Sequence, residues 1–223
     1  MKKYVFRILA AMFCLLLHSQ AISLPTAAAD DEATLTIGSQ APDIDIETWV
    51  SDRDGKFDHV TKLKSDKIYV IEFWATWCGP CVSSMPHLSE IQDKFFDDNV
   101  QIISISDEDT EKVESFLEKK VRGDDENTYG ELTNNYCLTV DPDRSVHDSY
   151  FSAAGQSGIP CAFVVGKTGL IEWIGHPMSL EKTLKKIVAG EWDREEFAVD
   201  FKKKQAARAL QRKMQIQMRT AMK

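Results

Sequence analysis

Cysteine is scarce: five residues in 223, four of them (Cys78, Cys81, Cys137 and Cys161) beyond position 14. Four are too few to staple a chain of this length, so a disulfide scaffold is excluded and stability must come from a packed core. Long apolar runs are also missing. The longest, Ile8 to Leu17, has ten residues where a membrane-spanning helix needs about 20. Lys2, Lys3 and Arg7 precede this run and small residues follow, with Ser19-Gln20-Ala21 and Ala27-Ala28-Ala29 as cleavage candidates. That is the plan of a secretory signal, and the reading is a leader cleaved from an exported protein, with an uncleaved anchor as the alternative. Cys14 lies inside the run, lacks the small residues that precede a lipidated cysteine, and goes with the leader.

Acid is absent from both ends. Residues 202–223 carry eight Lys/Arg and no Asp or Glu, and the first seven residues carry three more bases. The 16 remaining bases therefore face all 35 acids in residues 8–201, a net charge of −19. Such a body repels nucleic acid, and no DNA or RNA partner is expected. What remains is ordinary globular composition, 43% hydrophobic and 28% charged, without an internal repeat.

Along the chain, residues 22–36 are Ala/Thr/Asp-rich and read as a linker. The pattern Gly38-x-x-Ala41-Pro42-x-Ile44-x-Ile46 predicts a turn into a short edge strand. Lys67 to Ala75 is a dense β-branched and aromatic run, as a central strand buried on both faces would be. Helical spacing follows from Cys81 to Phe96, with Met85, Leu88, Ile91 and Phe95 as the apolar stripe. A strand is expected at Val100 to Ile105 and a helix from Asp107 to Lys120. Residues 121–137 read as polar and irregular, Leu138 to Asp141 as a short strand, and Asp143 to Tyr150 as a helix. Strands at Cys161 to Val165 and Leu170 to Ile174 are joined by a Gly166-Lys167-Thr168-Gly169 turn, and a last helix runs from Ser179 to Ala189 before Gly190. The sum is an α/β fold with a central mixed sheet in three layers. It divides as a leader and start of linker at 1–29, a domain at 30–190 with an insertion near 121–150, and a basic helical tail at 191–223.

The chemistry lies in Trp77-Cys78-Gly79-Pro80-Cys81, where a buried strand turns into a helix. The first cysteine stands at a helix N-terminus, where unpaired N–H groups and the dipole favour a thiolate, the form that attacks disulfides. Two intervening residues put the second sulfur one turn away, and Pro80 fits the first turn because that position needs no donor. A Cys-x-x-Cys pair can also be half a zinc site, but no second pair exists and the strand–helix setting favours redox chemistry.

Phe73-Trp74-Ala75-Thr76-Trp77-Cys78-Gly79-Pro80-Cys81 resembles the active-site segment of thioredoxins. The leader, the Gly38-x-x-Ala41-Pro42 entry and the 121–150 insertion make residues 36–190 more similar to the exported TlpA/ResA-like branch. Three further positions carry the resemblance. Glu72, six before Cys78, matches a buried acid; Pro86 matches a helix-kinking proline; Gly158-Ile159-Pro160 matches a loop whose proline is cis and lies against the cysteine pair. The resemblance implies a thioredoxin-like fold and a thiol-disulfide oxidoreductase without cofactor or metal. In it Cys78 is the nucleophile, Cys81 resolves, and Glu72 exchanges a proton with Cys81 after burial has raised its pKa. The alternative for Glu72 is a carboxylate rescued by a nearby Lys. Substrate would meet Trp77, Gly79, Pro80, Ile159 and Pro160, its backbone adding to the Ile159 loop as a strand. Trp74 is read as core.

The same resemblance implies a periplasmic or other extracytoplasmic location. Its implied partners are exported Cys-containing substrates of the cytochrome c maturation type and an upstream membrane thiol reductant. Gly-Pro between the cysteines matches reducing members, so reductase is favoured over oxidase. Cys161 departs from the hydroxyl residue usual after this proline and reads as a buried core residue, with a third redox thiol as the alternative. Cys137 reads as inert, and no Cys137–Cys161 bridge is expected across three strand steps, roughly 14 Å. His59, His87, His147 and His176 show no ligand spacing, and copper carriers of related fold use a Cys-x-x-x-Cys pair one residue longer than the one here, so a copper-binding metallochaperone is the runner-up, with a redox-inert adaptor as a third class. A peroxiredoxin is rejected because Ala75 stands where its threonine would be. The tail is either a helix packed on the acidic body or a contact with anionic lipid or an acidic partner.

Overall fold

The computed structural model describes residues 34–222; the leader and most of the linker lie outside them. Six strands form one sheet in the order β1-β4-β3-β2-β5-β6, with β1 Thr48–Asp52, β2 Ile68–Trp74, β3 Val100–Ser106, β4 Cys137–Val140, β5 Cys161–Val165 and β6 Ile171–Gly175. The pairs β2–β3 and β3–β4 are parallel; β1–β4, β2–β5 and β5–β6 are antiparallel. This is the expected mixed sheet. Every residue of β2, β3, β4 and β5 is buried, as continuous apolar runs require when both faces are covered.

Side chains alternate across the strands and divide the core in two. Ile68, Val70 and Trp74 face one way, under α1 (Gly79–Lys94), α2 (Thr110–Leu117), α3 (Tyr129–Thr133) and α4 (Leu180–Ala189). Tyr69, Ile71 and Phe73 face the other way, against Tyr150 and Phe151 of a π-helical turn at His147–Ser152, the entry segment and Phe201 of α5 (Arg194–Ala221). The expected stripe of α1 is the buried one: Met85, Leu88 and Ile91, with Phe95 just beyond. Gly190 ends α4 in the left-handed conformation at φ +72°.

Three expectations are corrected. Residues 37–46 do not form the edge strand: Pro42 has no N–H to give, and the segment makes a single bridge, Gln40 to Leu170. The edge strand is β1, further on, paired with β4. The 121–137 segment is not irregular throughout, because a Thr128/Glu131 capping box starts α3. The helix expected at Asp143 to Tyr150 is the wider π-helical turn at His147–Ser152, in which adjacent Tyr150 and Phe151 are both buried. The tail is helical as expected, from Arg194, and its first turns pack on the body. Arg194 Nη1 donates to Glu172 Oε1 at 2.8 Å, Phe201 is buried, and Gln205 Nε2 donates to the Ala154 carbonyl at 3.1 Å.

Candidate active site

Strand β2 ends at Trp74, and a short turn delivers Cys78 to the N-cap of α1. Cys78 N donates to the Ala75 carbonyl at 3.0 Å, and Cys78 Sγ accepts from Cys81 N at 3.2 Å. The two cysteines are bonded, S–S 2.07 Å, across a Cα separation of 5.2 Å. Cys78 is 5% exposed and Cys81 1%, so the first sulfur is the one nearer solvent. No acid stands in the first turn of α1 to oppose a thiolate on Cys78. Gly79 and Pro80 are exposed in that turn, and Pro86 lies inside the helix.

Glu72 points from the middle of β2 to the face that α1 covers, in phase with Val70 and Trp74. Its carboxyl is 1% exposed, accepts a 2.5 Å hydrogen bond from Ser104 Oγ at Oε2, and leaves Oε1 without a partner. Burial raises its pKa to about 8, offset in part by the Ser104 bond. No lysine is among the groups acting on it, so the rescued-carboxylate alternative finds no partner here. Tyr136, whose buried hydroxyl is also unpartnered, feels the same carboxyl, and burial pushes the phenol well above its ordinary range.

The Ile159–Pro160 bond is cis. Pro160 is buried, while Ile159 lines a cleft of about 320 Å³ together with Trp77, Phe73, Phe151, Arg144 and His147. Trp77 is 70% exposed and forms the rim; Trp74 is core, as expected. The structure thus brings Trp77 and Ile159 to one cleft and leaves Gly79, Pro80 and Pro160 outside its lining. At the polar end Arg144 pairs with Asp107 and lies 2.8 Å from His147 Nδ1.

Cys161 sits on the opposite face of the sheet, clustered with Phe73, Tyr150 and Phe163. Burial pushes its thiol up to about 12, and that of Cys137 likewise. Both are free, three strand steps apart in the sheet order.

One positioning residue escaped the sequence reading. Glu108 is buried beside the turn that precedes Cys78; its Oε2 accepts from Thr76 N at 2.6 Å and its Oε1 from Thr76 Oγ1 at 3.0 Å. Burial alone would raise its pKa, but the 2.5 Å pair with Lys112 and the Thr76 bonds hold it below the ordinary value. The only signal in the sequence was Glu108-x-x-x-Lys112 at helical spacing, which points to a surface ion pair and not to a loop anchor.

For metals, the described residues bring together one group of carboxylates, Glu47, Asp141 and Asp143, within 4.8 Å. Asp141 is already engaged there, accepting from His147 N at 2.9 Å and Ser145 Oγ at 3.1 Å, so the group serves the start of the His147 turn. The four histidines among the described residues stand apart: His59 stacks on Trp49, His87 lies on α1, His147 is at the cleft, and His176 caps a turn at Pro177–Ser179.

The sequence profile of the AhpC/TSA family matches residues 37–174. The chain belongs to that family. Among its relatives, Protein FixW of Rhizobium leguminosarum is 27% identical over 160 residues, covering 72% of this chain and 69% of FixW. Thiol-disulfide oxidoreductase ResA of Bacillus thuringiensis is 28% identical over 162 residues, 70% of this chain and 82% of ResA. Among solved structures, a candidate protein disulfide isomerase from Bacteroides thetaiotaomicron superposes with a TM-score of 0.51 at 26% identity, covering 70% of this chain and 91% of that one. A 2-Cys peroxiredoxin from Plasmodium vivax superposes at 0.54 over 70% of this chain and 98% of its own, but at 16% identity it shares only the fold. The fold is thioredoxin-like. With a bonded Cys-Gly-Pro-Cys pair at a helix N-terminus, this AhpC/TSA-family chain is a thiol-disulfide oxidoreductase.

Proposed function

We propose that this oxidoreductase works as a reductase on disulfides of exported proteins, in the manner of cytochrome c maturation. The observation that carries the reading is the Cys78–Cys81 bond at the N-cap of α1, opening beside a cleft rimmed by Trp77 and Ile159. In the reduced enzyme the Cys78 thiolate attacks a substrate disulfide; a mixed disulfide forms and one substrate thiolate leaves. Cys81 then attacks Cys78 Sγ, the second substrate thiolate leaves, and Cys78–Cys81 is left oxidised. Two electrons have passed to the substrate. Cys81 must lose its proton for this second step, and Glu72, buried on the sheet face that carries the cysteine pair and with its pKa raised toward neutral pH, is the group to take it.

An upstream thiol donor must return two electrons before the next turnover, and a membrane protein facing the exported compartment fits that role. Support for export comes from the Lys2-Lys3-Arg7 and Ile8–Leu17 pattern, which lies outside the described residues. The described residues hold no helix long and apolar enough to cross a membrane. The ResA relative supports the thiol-disulfide reading. The test is the reduction potential of the Cys78–Cys81 couple. A reductase should lie near thioredoxin, about −270 mV; a value near the oxidant DsbA, about −120 mV, would reverse the direction.

A further inference from the structure

The oxidoreductase reading leaves the distal half of α5 without a task. Eight large apolar side chains are exposed among the described residues, and five of them (Leu210, Met214, Ile216, Met218 and Met222) lie in this one stretch. At 100° per residue, Leu210, Met214 and Met218 form a stripe whose centre is roughly 140° from the line of Arg208, Arg212 and Arg219. That basic line continues the side of the helix whose Phe201 and Gln205 hold the body, so the apolar stripe faces away from it. Lys204 pairs with Asp200, whereas Arg208, Arg212 and Arg219 have no carboxylate partner among the described residues. The sequence supplies no acid anywhere in 202–223.

We infer that the distal part of α5 is an anionic-lipid-binding helix that lies in the headgroup plane of a phospholipid surface and holds the catalytic body beside it. An apolar stripe opposite a line of arginines, on a helix too polar to span, is the design of an interfacial helix. Charge complementarity selects anionic lipid. The body carries −19 over residues 8–201 and would by itself be repelled by such a surface. The helix escapes that repulsion by length. From Gln205, whose Nε2 donates to the Ala154 carbonyl, to Ala221 it extends about 24 Å, some three Debye lengths at physiological salt. An acidic protein would satisfy the arginines but leaves the opposite stripe of Leu and Met in water, whereas a lipid surface takes both.

The test is vesicle co-sedimentation of the full-length protein, with phosphatidylglycerol/phosphatidylcholine vesicles against phosphatidylcholine alone. One variant is Arg208→Gln/Arg212→Gln/Arg219→Gln; a second is Leu210→Gln/Met214→Gln/Met218→Gln. Glutamine keeps helix propensity, and thiol-disulfide turnover monitors folding because none of these residues lies at the cysteine pair. The parent should prefer anionic vesicles and release them as salt rises. Loss of three arginines should weaken binding roughly 100-fold, and loss of the apolar stripe at least about tenfold. Equal binding by all three proteins would place membrane affinity elsewhere in the shared remainder of the chain and overturn the inference. So would a parent that ignores anionic vesicles, or one that self-associates through the tail without binding them.

Discussion

Replacing Glu72 by Gln removes one ionisable group from the middle of a fully buried strand and keeps its shape. The folded chain holds this carboxyl at about 8 and the unfolded chain at about 4.5. Below pH 4.5 both states bind the proton and the group contributes nothing that varies with pH. Between 4.5 and 8 the unfolded chain ionises while the folded chain does not, so stability falls steadily as pH rises through that window; above 8 the loss is complete. Moving a carboxyl over this range corresponds to roughly 5 kcal/mol, an upper figure that local relaxation and water entry reduce to about 3 to 5.

Glu72→Gln lacks the titration. Its amide has its own fixed cost beside Ser104, but that cost does not change with pH. Urea unfolding of the oxidised parent and variant, at intervals from pH 4 to pH 9, isolates the effect because every other group is common to both. The expected result is a stability difference that moves in the variant's favour across the window and levels off above about pH 8. A difference independent of pH would mean that Glu72 titrates alike in both states, and the argument from its burial would fail.

Three further outcomes follow from the site. Release of substrate from the mixed disulfide should quicken roughly tenfold between pH 7 and pH 9 as Glu72 loses its proton, and rapid-mixing kinetics of Glu72→Gln should show that rise gone; a retained rise would assign the proton to another group. Glu108→Ala strips two hydrogen bonds from Thr76 and should cost about 2 to 3 kcal/mol with a slower first attack, while Glu108→Gln recovers part of both. A loss below about 0.5 kcal/mol would remove Glu108 from the positioning of Cys78. Peptide mapping after native alkylation of the reduced protein should label Cys78 and spare Cys137 and Cys161, and Cys161→Ala should keep turnover within about twofold. A large fall with Cys161→Ala would revive the third redox thiol.

Much of this was legible in the residues because chemistry and local structure agreed. The run from Ile68 to Trp74 could only be a buried strand, the α1 stripe had clean helical spacing, and Cys-Gly-Pro-Cys between them needed no tertiary information. The buried setting of Glu72 was readable for the same reason, a lone acid in an apolar strand. Glu108 was not. Its role arises from a contact across 32 positions, Thr76 to Glu108, that only the parallel pairing of β2 and β3 creates. The edge strand was misplaced because Ile44 and Ile46 alternate like a strand, while Pro42 and the left-handed Gly38 (φ +85°) keep that segment to one bridge. The α3 capping box was present as Thr128-x-x-Glu131 and hidden by the polar residues around it. The base of α5 was hidden because Phe197 and Phe201 precede a long basic run, and the charge dominates the pattern.

In the proposed mechanism Cys78 is the nucleophile and Cys81 the thiol that resolves its adducts, and trapping tests this directly. Cys81→Ser keeps the N-cap position and the open helix end that favour a Cys78 thiolate, but removes the sulfur bonded to it. Expressed in an exporting cell, this variant should accumulate reductant-sensitive covalent adducts with a restricted set of exported Cys-containing proteins, each identifiable by mass, while Cys78→Ser accumulates none. Adducts that form on Cys78→Ser, or none on Cys81→Ser, would contradict the assignment.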